Sequence, residues 1–240
     1  MNTFLFDLDG TLLPMEQETF LEAYFHALAR KMAPYGVEPE KLTQSVWEGT
    51  KAMIGNDGSV TNEQRFWDTF TGEEGEEMRR LKPVFDDFYR NEFHEVKKTT
   101  RMNPAAGQCI RQLKEKGYRL ALATNPLFPR IATVNRIRWA GLKEEDFDLI
   151  TTYENSSFCK PNQDYYKAIL KELGKEPKEC CMVGNDTRED MCAAMLGVKT
   201  YLLKDCLICQ EDEDIASYCQ GGFKELLRYI SSLPDLTIKI

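Results

Sequence analysis

The chain has 240 residues, of which 42% are hydrophobic and 29% charged, and its formal net charge is -8. This apolar content is enough for one ordinary core and a smaller second one, so the composition excludes intrinsic disorder. The negative charge disfavours nucleic acid and anionic membranes as partners. No apolar run approaches the roughly 20 residues that span a bilayer, and no basic, cleavable leader is visible. We therefore expect a cytoplasmic protein, either a monomer or a homodimer.

The first predicted element is a buried strand over Thr3 to Leu8, an apolar run that only Asp7 interrupts. A helical block follows, because apolar residues recur every three or four positions and no strand pattern is visible between residues 16 and 98. Its predicted helices are Glu16 to Met32, Leu42 to Ile54, Asn62 to Phe70 and Glu74 to Val96. We interpret the acidic run at residues 73–77 as a solvated helix start.

Beyond Thr100, strand and helix patterns alternate. The predicted strands are Tyr118 to Ala123, Asp148 to Thr152, Cys180 to Gly184 and Val198 to Leu203. The predicted helices are Ala105 to Lys116, Pro129 to Ala140, Gln163 to Leu173, Arg188 to Leu196 and Phe223 to Ser232. Such alternation is typical of a parallel sheet covered by helices on both faces. The sequence therefore predicts an α/β fold with a doubly wound, Rossmann-like core at residues 1–13 and 101–240 and an inserted all-helical domain at 14–100.

Polar side chains follow the predicted strands at their carboxyl ends, where open parallel sheets bind ligands. These residues are Asp7, Asp9 and Thr11 after the first strand, Thr124 and Asn125 after the second, Lys160 after the third, and Asn185, Asp186 and Asp190 after the fourth. The predicted edge of the sheet is thus rich in carboxylates, with a single lysine among them.

Asp7 and Asp9 are two residues apart, so within a strand both would point to the same face as a carboxylate pair. Two such charges about 4 Å apart repel by roughly 1 kcal/mol in water and about 4 kcal/mol at an effective dielectric constant of 20, so the cluster needs a cation. Oxygen ligands favour Mg²⁺, which keeps several waters and takes one or two carboxylates plus a substrate phosphate. Lys160, Thr124 and Asn125 add donors for a tetrahedral anion.

Four ordered segments carry a resemblance to a known family. They are Asp7-Leu-Asp-Gly-Thr11, Ala123-Thr-Asn125, Lys160-Pro161 and Gly184-Asn-Asp186 followed by Asp190. In order and spacing they resemble the four motifs of the haloacid dehalogenase-like hydrolases, and four ordered motifs are a strong signal where any one is weak. The helical insertion is similar to that family's helical cap, which closes over the site and selects the leaving group.

The resemblance implies a Mg²⁺-dependent phosphatase for a small phosphorylated metabolite. Asp7 would attack phosphorus and form an aspartyl-phosphate, and Asp9 would act as acid and then base. Mg²⁺ would be held by Asp7, Asp186 and the main-chain carbonyl of Asp9. Thr124, Asn125 and Lys160 would bind the phosphoryl group. The resemblance also implies supporting roles for Asp190, which would orient Lys160 or a metal-bound water, and for Asn185 and Thr11.

Several alternatives stay open. The presence of Asp9 favours ester hydrolysis over carbon-halogen cleavage, but a phosphosugar mutase would use the same pair of acids, and a catalytically idle metabolite-binding protein is a further alternative. On the predicted insertion, Lys51 is expected to be solvated, with a substrate contact as the second interpretation. The Cys206 and Cys209 pair has zinc-ligand spacing, but we favour reduced thiols because two further ligands cannot be assigned.

Overall fold

The computed structural model describes residues 1–72, 78–211 and 213–238. Six strands form one sheet in the order β3-β2-β1-β4-β5-β6, and each neighbouring pair is parallel. The strands are β1 (Thr3–Phe6), β2 (Arg119–Leu122), β3 (Leu149–Ile150), β4 (Cys180–Gly184), β5 (Lys199–Leu203) and β6 (Gln220–Gly221). The predicted α/β fold with a parallel sheet is confirmed.

Eight α-helices are present in the described residues. They are α1 (Gln17–Met32), α2 (Pro39–Ile54), α3 (Asn62–Phe70), α4 (Lys82–Arg90), α5 (Pro104–Glu115), α6 (Arg130–Trp139), α7 (Gln163–Leu173) and α8 (Phe223–Ser232). Helices α1 to α4 lie between β1 and β2, and the described residues of that segment contain no strand. The domain boundaries themselves stay a prediction. Over residues 1–72, 78–211 and 213–238, no helix has the length and apolar character needed to cross a membrane.

Strand β1 lies at the centre of the sheet because its side chains are apolar on both faces. Phe4 and Phe6 belong to the larger core cluster, which includes residues of α5 and α8, whereas Leu5 belongs to the smaller cluster with residues of α7. All three are fully buried. Burial of each such side chain contributes about 1.5 to 3 kcal/mol, so the pleat of β1 fixes its register between its two neighbours.

The predicted helix at Glu74 to Val96 is wrong as a single element. Residues 73–77, including the acidic run, lie outside the described residues. The chain then forms α4 and a separate 3₁₀ helix over Glu92–Thr99. Pro83 lies in the first turn of α4, where its missing N–H costs no hydrogen bond, and Asn91 interrupts the helix with φ -119° and ψ -82°. Pro83 thus lies at the start of a helix, whereas the apolar pattern predicts a helix that continues across it.

Two smaller differences affect the second half. The predicted helix at Arg188 to Leu196 is instead a hydrogen-bonded turn followed by a 3₁₀ helix over Met191–Leu196. The Asp186 side chain accepts the main-chain N–H groups at the start of this segment, as described below. Only six residues remain before Gly197, and they form a short 3₁₀ helix. Strand β6 has only two residues and was not predicted, because so short an element leaves no alternating pattern.

Candidate active site

The strand register places the predicted site at one edge of the sheet. Phe6 of β1 is paired with Leu122 of β2 and with Val183 of β4, so Asp7 follows level with Ala123 and Gly184. The Asp7 N–H donates to the carbonyl of Val183 at 3.0 Å. The carboxyl ends of the three central strands therefore meet around Asp7, as expected for a parallel sheet.

The prediction that strand alternation places Asp7 and Asp9 on the same face is wrong. Strand β1 ends at Phe6, so Asp9 lies in a turn and the two-residue alternation of a strand does not orient it. Gly10 makes this turn, with a φ of +79° that other residues rarely adopt. A Cβ at Gly10 would lie 2.5 Å from Asn185 Nδ2, so glycine also permits the close approach of the β4 loop. As a result, the two aspartates face different cations.

Asp7 is paired with the buried Lys160. Lys160 Nζ donates to Asp7 Oδ1 at 2.8 Å and to Asp190 Oδ1 at 2.6 Å. The Lys160 and Asp190 side chains are 1% exposed and that of Asp7 is 10% exposed. Burial alone would lower the pKa of Lys160, but the carboxylates of Asp190 and Asp7 outweigh it and hold that pKa well above its usual value. Lys160 is thus a permanently charged donor beside Asp7.

Asp190 connects this lysine to the loop after β4. Its Oδ2 accepts the N–H of Asp186 at 3.0 Å, while Asp186 Oδ1 accepts the N–H groups of Arg188 and Glu189 at 2.8 and 2.9 Å. A Cβ at position 184 would overlap the Asp190 carboxyl, so Gly184 is required for this approach. Of the two roles considered for Asp190, the structure shows contact with Lys160. Burial raises the pKa of Asp190, whereas Lys160 lowers it.

Asp9 is paired with Arg136, a residue that the sequence did not single out. Arg136 lies on α6 with its side chain 1% exposed, and its Nη1 donates to Asp9 Oδ2. The guanidinium also stacks on Phe128, 4.3 Å from the ring centroid. Asp9 Oδ1 is buried with no hydrogen-bond partner among the described residues. Burial raises the pKa of Asp9 above its usual value, and the charge of Arg136 offsets only part of this rise.

The remaining predicted residues lie around this centre. Thr11 Oγ1 donates to Asn185 Oδ1 at 2.8 Å, and Asn185 Nδ2 donates to the carbonyl of Cys206 at 2.6 Å. This pair ties the turn after β1 to the loop after β4. Thr124 is buried at the end of β2, where its carbonyl accepts hydrogen bonds from Thr151 and Tyr165.

Glu189, which contacts Asn125, is a second residue that the sequence did not single out. Asn125 Oδ1 accepts the main-chain N–H of Lys160 at 3.2 Å, and Asn125 Nδ2 donates to Glu189 Oε2 at 3.0 Å. Burial raises the pKa of Glu189 to about 7, opposed by the charge of Lys160. A glutamate one position before Asp190 carries no separate signal in the sequence, since charged residues in such a turn are usually solvated.

These side chains border one cavity of about 570 Å³. Its polar wall contains Asp7, Asp9, Thr124, Asn125, Asn185, Asp186, Glu189 and Asp190. Its apolar wall contains Phe20 and Leu21 of α1, Leu127 and Phe128 after β2, and Leu207 and Ile208. Of the predicted residues, Lys160 and Thr11 lie behind this lining. Arg101, directly after the predicted helical insertion, also borders the cavity and is exposed.

The donor set fits Mg²⁺ through few protein ligands. Within the described residues, no group of three or more His, Cys, Asp or Glu side chains is placed to hold a metal. Mg²⁺ does not need such a cage, because it commonly takes one or two carboxylates and completes its shell with waters. Asp7 Oδ2 and Asp186 Oδ2 accept no hydrogen bond from the described chain, and both residues border the cavity.

Two further predictions concern residues outside this centre. Lys51 is exposed and borders neither this cavity nor the smaller one beside it, which is described below. This position agrees with the favoured interpretation that Lys51 is solvated. Cys206 borders the larger cavity as a free thiol, whereas Cys209 is exposed. Cys206 thus has a place at the site that its spacing to Cys209 did not indicate.

Comparison with known proteins shows the family to which the chain belongs. The family model of the haloacid dehalogenase-like hydrolases matches residues 1–194. The chain belongs to this family, which confirms the resemblance seen in the four motifs. Two of its relatives are named as phosphatases. The chain is 24% identical to the pyrophosphatase PpaX of Bacillus cereus, over 83% of this chain and 82% of that protein. It is 28% identical to a phosphoglycolate phosphatase of Vibrio vulnificus, over 79% and 77%.

Solved structures show the same fold. A HAD phosphatase from Thermococcus onnurineus superposes with a TM-score of 0.62 at 20% identity, over 98% of this chain and all of that one. The HAD-hydrolase YfnB of Bacillus subtilis, solved bound to magnesium, superposes with a TM-score of 0.55 at 18% identity, over 95% of this chain and 98% of that one.

Proposed function

We propose that the protein is a Mg²⁺-dependent phosphatase that hydrolyses a small phosphate monoester through an aspartyl-phosphate on Asp7. The observation that carries this proposal is the position of Asp7 at the carboxyl end of the central strand. There it borders a cavity of about 570 Å³ with one oxygen held by Lys160 and the other without a hydrogen-bond partner in the described chain. Family membership and the phosphatase names of its relatives support the same reaction class.

Asp7 is the nucleophile in this proposal. Its Oδ2 forms a bond to phosphorus while the ester oxygen leaves on the opposite side, so the phosphoryl group moves to the enzyme. Lys160 fixes the other oxygen at 2.8 Å and offers positive charge to the phosphoryl oxygens. Asp190 holds the lysine in place, and Thr124 and Asn125 lie close enough to the centre to orient the group.

Asp9 is the acid and base of the same proposal. It gives a proton to the departing alkoxide and then removes one from the water that attacks the aspartyl-phosphate, which releases inorganic phosphate and restores Asp7. Arg136 holds one oxygen of Asp9, so the second oxygen, Oδ1, has a fixed direction. Because Phe128 borders the cavity and stacks on the guanidinium while Arg136 does not border it, Arg136 acts from behind the cavity wall.

Asp7, Asp186 and the main-chain carbonyl of Asp9 would hold Mg²⁺. The bound ion supplies positive charge that offsets the carboxylates and the negative phosphoryl oxygens. The chain's own contribution is to keep the Asp186 loop in position. The Asp186 N–H donates to Asp190, and Asp186 Oδ1 accepts two further main-chain N–H groups.

The helices at residues 14–100 are the proposed cap. Phe20 and Leu21 of α1 border the same cavity as the polar residues at the strand ends. A cap in this position excludes water from the phosphoryl transfer and contacts the leaving alcohol. The cap is therefore the part of the chain that selects the substrate.

The experiment is a phosphate-release screen over phosphorylated small molecules, with Mg²⁺ and with EDTA. We expect turnover that requires Mg²⁺ for at least one class of monoester. The matched variant is Asp186→Asn, which should raise the Mg²⁺ concentration needed for half-maximal turnover. Isomerised phosphosugar without free phosphate would replace the phosphatase with a mutase, and turnover that EDTA leaves intact would refute the role of the metal.

A further inference from the structure

A second cavity of about 150 Å³ adjoins the catalytic one. It lies among helices α1 to α4 and the segments that follow β2 and β3. Nine aromatic side chains border it, including Tyr24, Trp47, Phe66, Tyr89 and Tyr153. The rings also pack on one another, as Trp67 does edge-to-face on Phe66 and Phe85, so the cavity is an opening within an aromatic cluster. Because voids of this size are few in close-packed interiors, such an opening is unexpected for a core that serves only stability.

The two cavities share part of their walls. Gln17, Leu21, Leu127 and Phe128 border both. One layer of side chains therefore separates the aromatic cavity from the space above Asp7. Gln17 is exposed, and Leu21 and Leu127 are half-buried, so these three side chains are not fixed by dense packing on all sides. Phe128 is held by its contacts with Arg136 and Tyr24 and forms the fixed part of this wall. Changes of the rotamers of the other three can join the two spaces.

The size and lining of the second cavity define its ligand. An apolar cavity of about 150 Å³ is large enough for a benzene ring. Aromatic walls favour an aromatic occupant, because rings pair in edge-to-face or offset geometry. The one charged side chain that borders the cavity in the described chain is Asp86, which repels an anionic group.

We propose that this aromatic cavity is a subsite for an aromatic ring carried by the alcohol of the phosphate ester. This inference rests on the proposed phosphatase function and specifies its substrate class. The phosphate lies at Asp7, and the alcohol extends past Leu21 and Phe128 into the aromatic cavity. The preferred substrate is thus an aryl-bearing monophosphate whose leaving group carries no second anionic charge.

Thr50 and Thr43 offer a matched pair for the test. Both lie on α2, and the hydroxyl of each donates to the carbonyl four residues earlier, at 2.8 Å for Thr50 and 2.9 Å for Thr43. Thr50 borders the aromatic cavity, whereas Thr43 borders neither cavity. Thr50→Phe should fill the cavity, and Thr43→Phe adds the same ring elsewhere on the same helix. Thr50→Leu is a smaller filling variant, in case Thr50→Phe fails to fold.

The first measurement needs neither metal nor catalysis. Benzyl alcohol is titrated into the full chain while tryptophan fluorescence is followed, because Trp47 and Trp67 border the cavity. We expect saturable binding that Thr50→Phe weakens by about tenfold or more and that Thr43→Phe leaves unchanged. Absence of binding, or equal affinities of the two variants for benzyl alcohol, would overturn the proposal. So would binding of tetramethylammonium in place of benzyl alcohol, because the cavity would then select a cation through Asp86 and its aromatic rings.

The second measurement compares kcat/KM for benzyl phosphate and methyl phosphate. Wild type should prefer the benzyl ester by about tenfold or more, and Thr50→Phe should remove most of this preference while Thr43→Phe keeps it. If wild type binds benzyl alcohol but releases phosphate neither from these two esters nor from any monoester in the screen, the phosphatase proposal fails and the aromatic binding site is retained. If both esters are hydrolysed equally and no alcohol binds, the aromatic subsite fails and the phosphatase proposal is retained.

Discussion

Lys160→Met should destabilise the metal-free protein strongly. In the structure Lys160 is the cation for two buried carboxylates, those of Asp7 at 2.8 Å and Asp190 at 2.6 Å. Removal of one partner of a buried ion pair costs about 3 to 5 kcal/mol, because the charge left behind has lost both its water and its partner. For a chain of this size, about 2 to 4 °C of melting temperature corresponds to each kcal/mol. We therefore expect the melting temperature to fall by about 6 to 20 °C.

For the EDTA-treated protein, urea unfolding measures the loss of unfolding free energy, and a thermal melt measures the fall in melting temperature. The control is Lys167→Met, because Lys167 pairs with Asp164 at 2.8 Å while both side chains are about half exposed. Such surface pairs contribute at most about 1 kcal/mol. Addition of Asp190→Asn to Lys160→Met should restore part of the stability, since it removes one of the two stranded charges. Equal losses for the two lysine variants would refute the buried ion-pair reasoning.

Three further predictions follow from the site. Arg136→Met should lower kcat for alkyl phosphates by about 100-fold and for aryl phosphates by much less, because an acidic leaving group needs little protonation. In an Asp9→Asn background the same substitution should cause no further loss. Equal loss of kcat for both ester classes would contradict this prediction. Glu189, whose pKa is raised from 4.5 to about 7 by burial, adds stability below pH 4.5 that is lost as the pH rises to 7. The free energy of unfolding of metal-free Glu189→Gln should therefore exceed that of wild type by at most about 3 kcal/mol above pH 7 and equal it near pH 4, as measured by urea unfolding. The exposed Glu172→Gln is the surface control in the same series. Mg²⁺ at about 100 times its dissociation constant should stabilise the protein by about 2.7 kcal/mol in a thermal melt, and Asp186→Asn should remove most of that gain.

Most of the sheet was predictable because five of its six strands carry their own local signal, and only the two-residue strand β6 does not. The apolar runs at Cys180–Gly184 and after Gly117 give buried strands with helical patterns between them, and the structure has these strands within one residue of the predicted bounds. The parallel order then determines that polar residues after different strands meet at one edge. Lys160 and Asp190 could therefore be assigned to one site although they are 30 residues apart.

Other features could not be read from the sequence, because they depend on tertiary contacts. Arg136 is one of three arginines on α6, and nothing in the sequence distinguishes it from the other two. Only the folded chain shows that its side chain is buried against Asp9. The aspartate pair was expected to share a face, but the end of β1 at Phe6 directs the two carboxylates to separate cations. The aromatic cavity arises from residues on four helices whose packing no single helical stripe reveals.

Turnover by Asp7→Asn tests the central claim most directly. The account assigns to Asp7 the oxygen that accepts the phosphoryl group, and the asparagine keeps the shape of the side chain while it removes that nucleophile. Phosphate release at saturating Mg²⁺ should fall by about 10⁴-fold or more, with the fold retained by circular dichroism. Release at or near the wild-type rate would contradict the assignment of Asp7 and with it the proposed reaction.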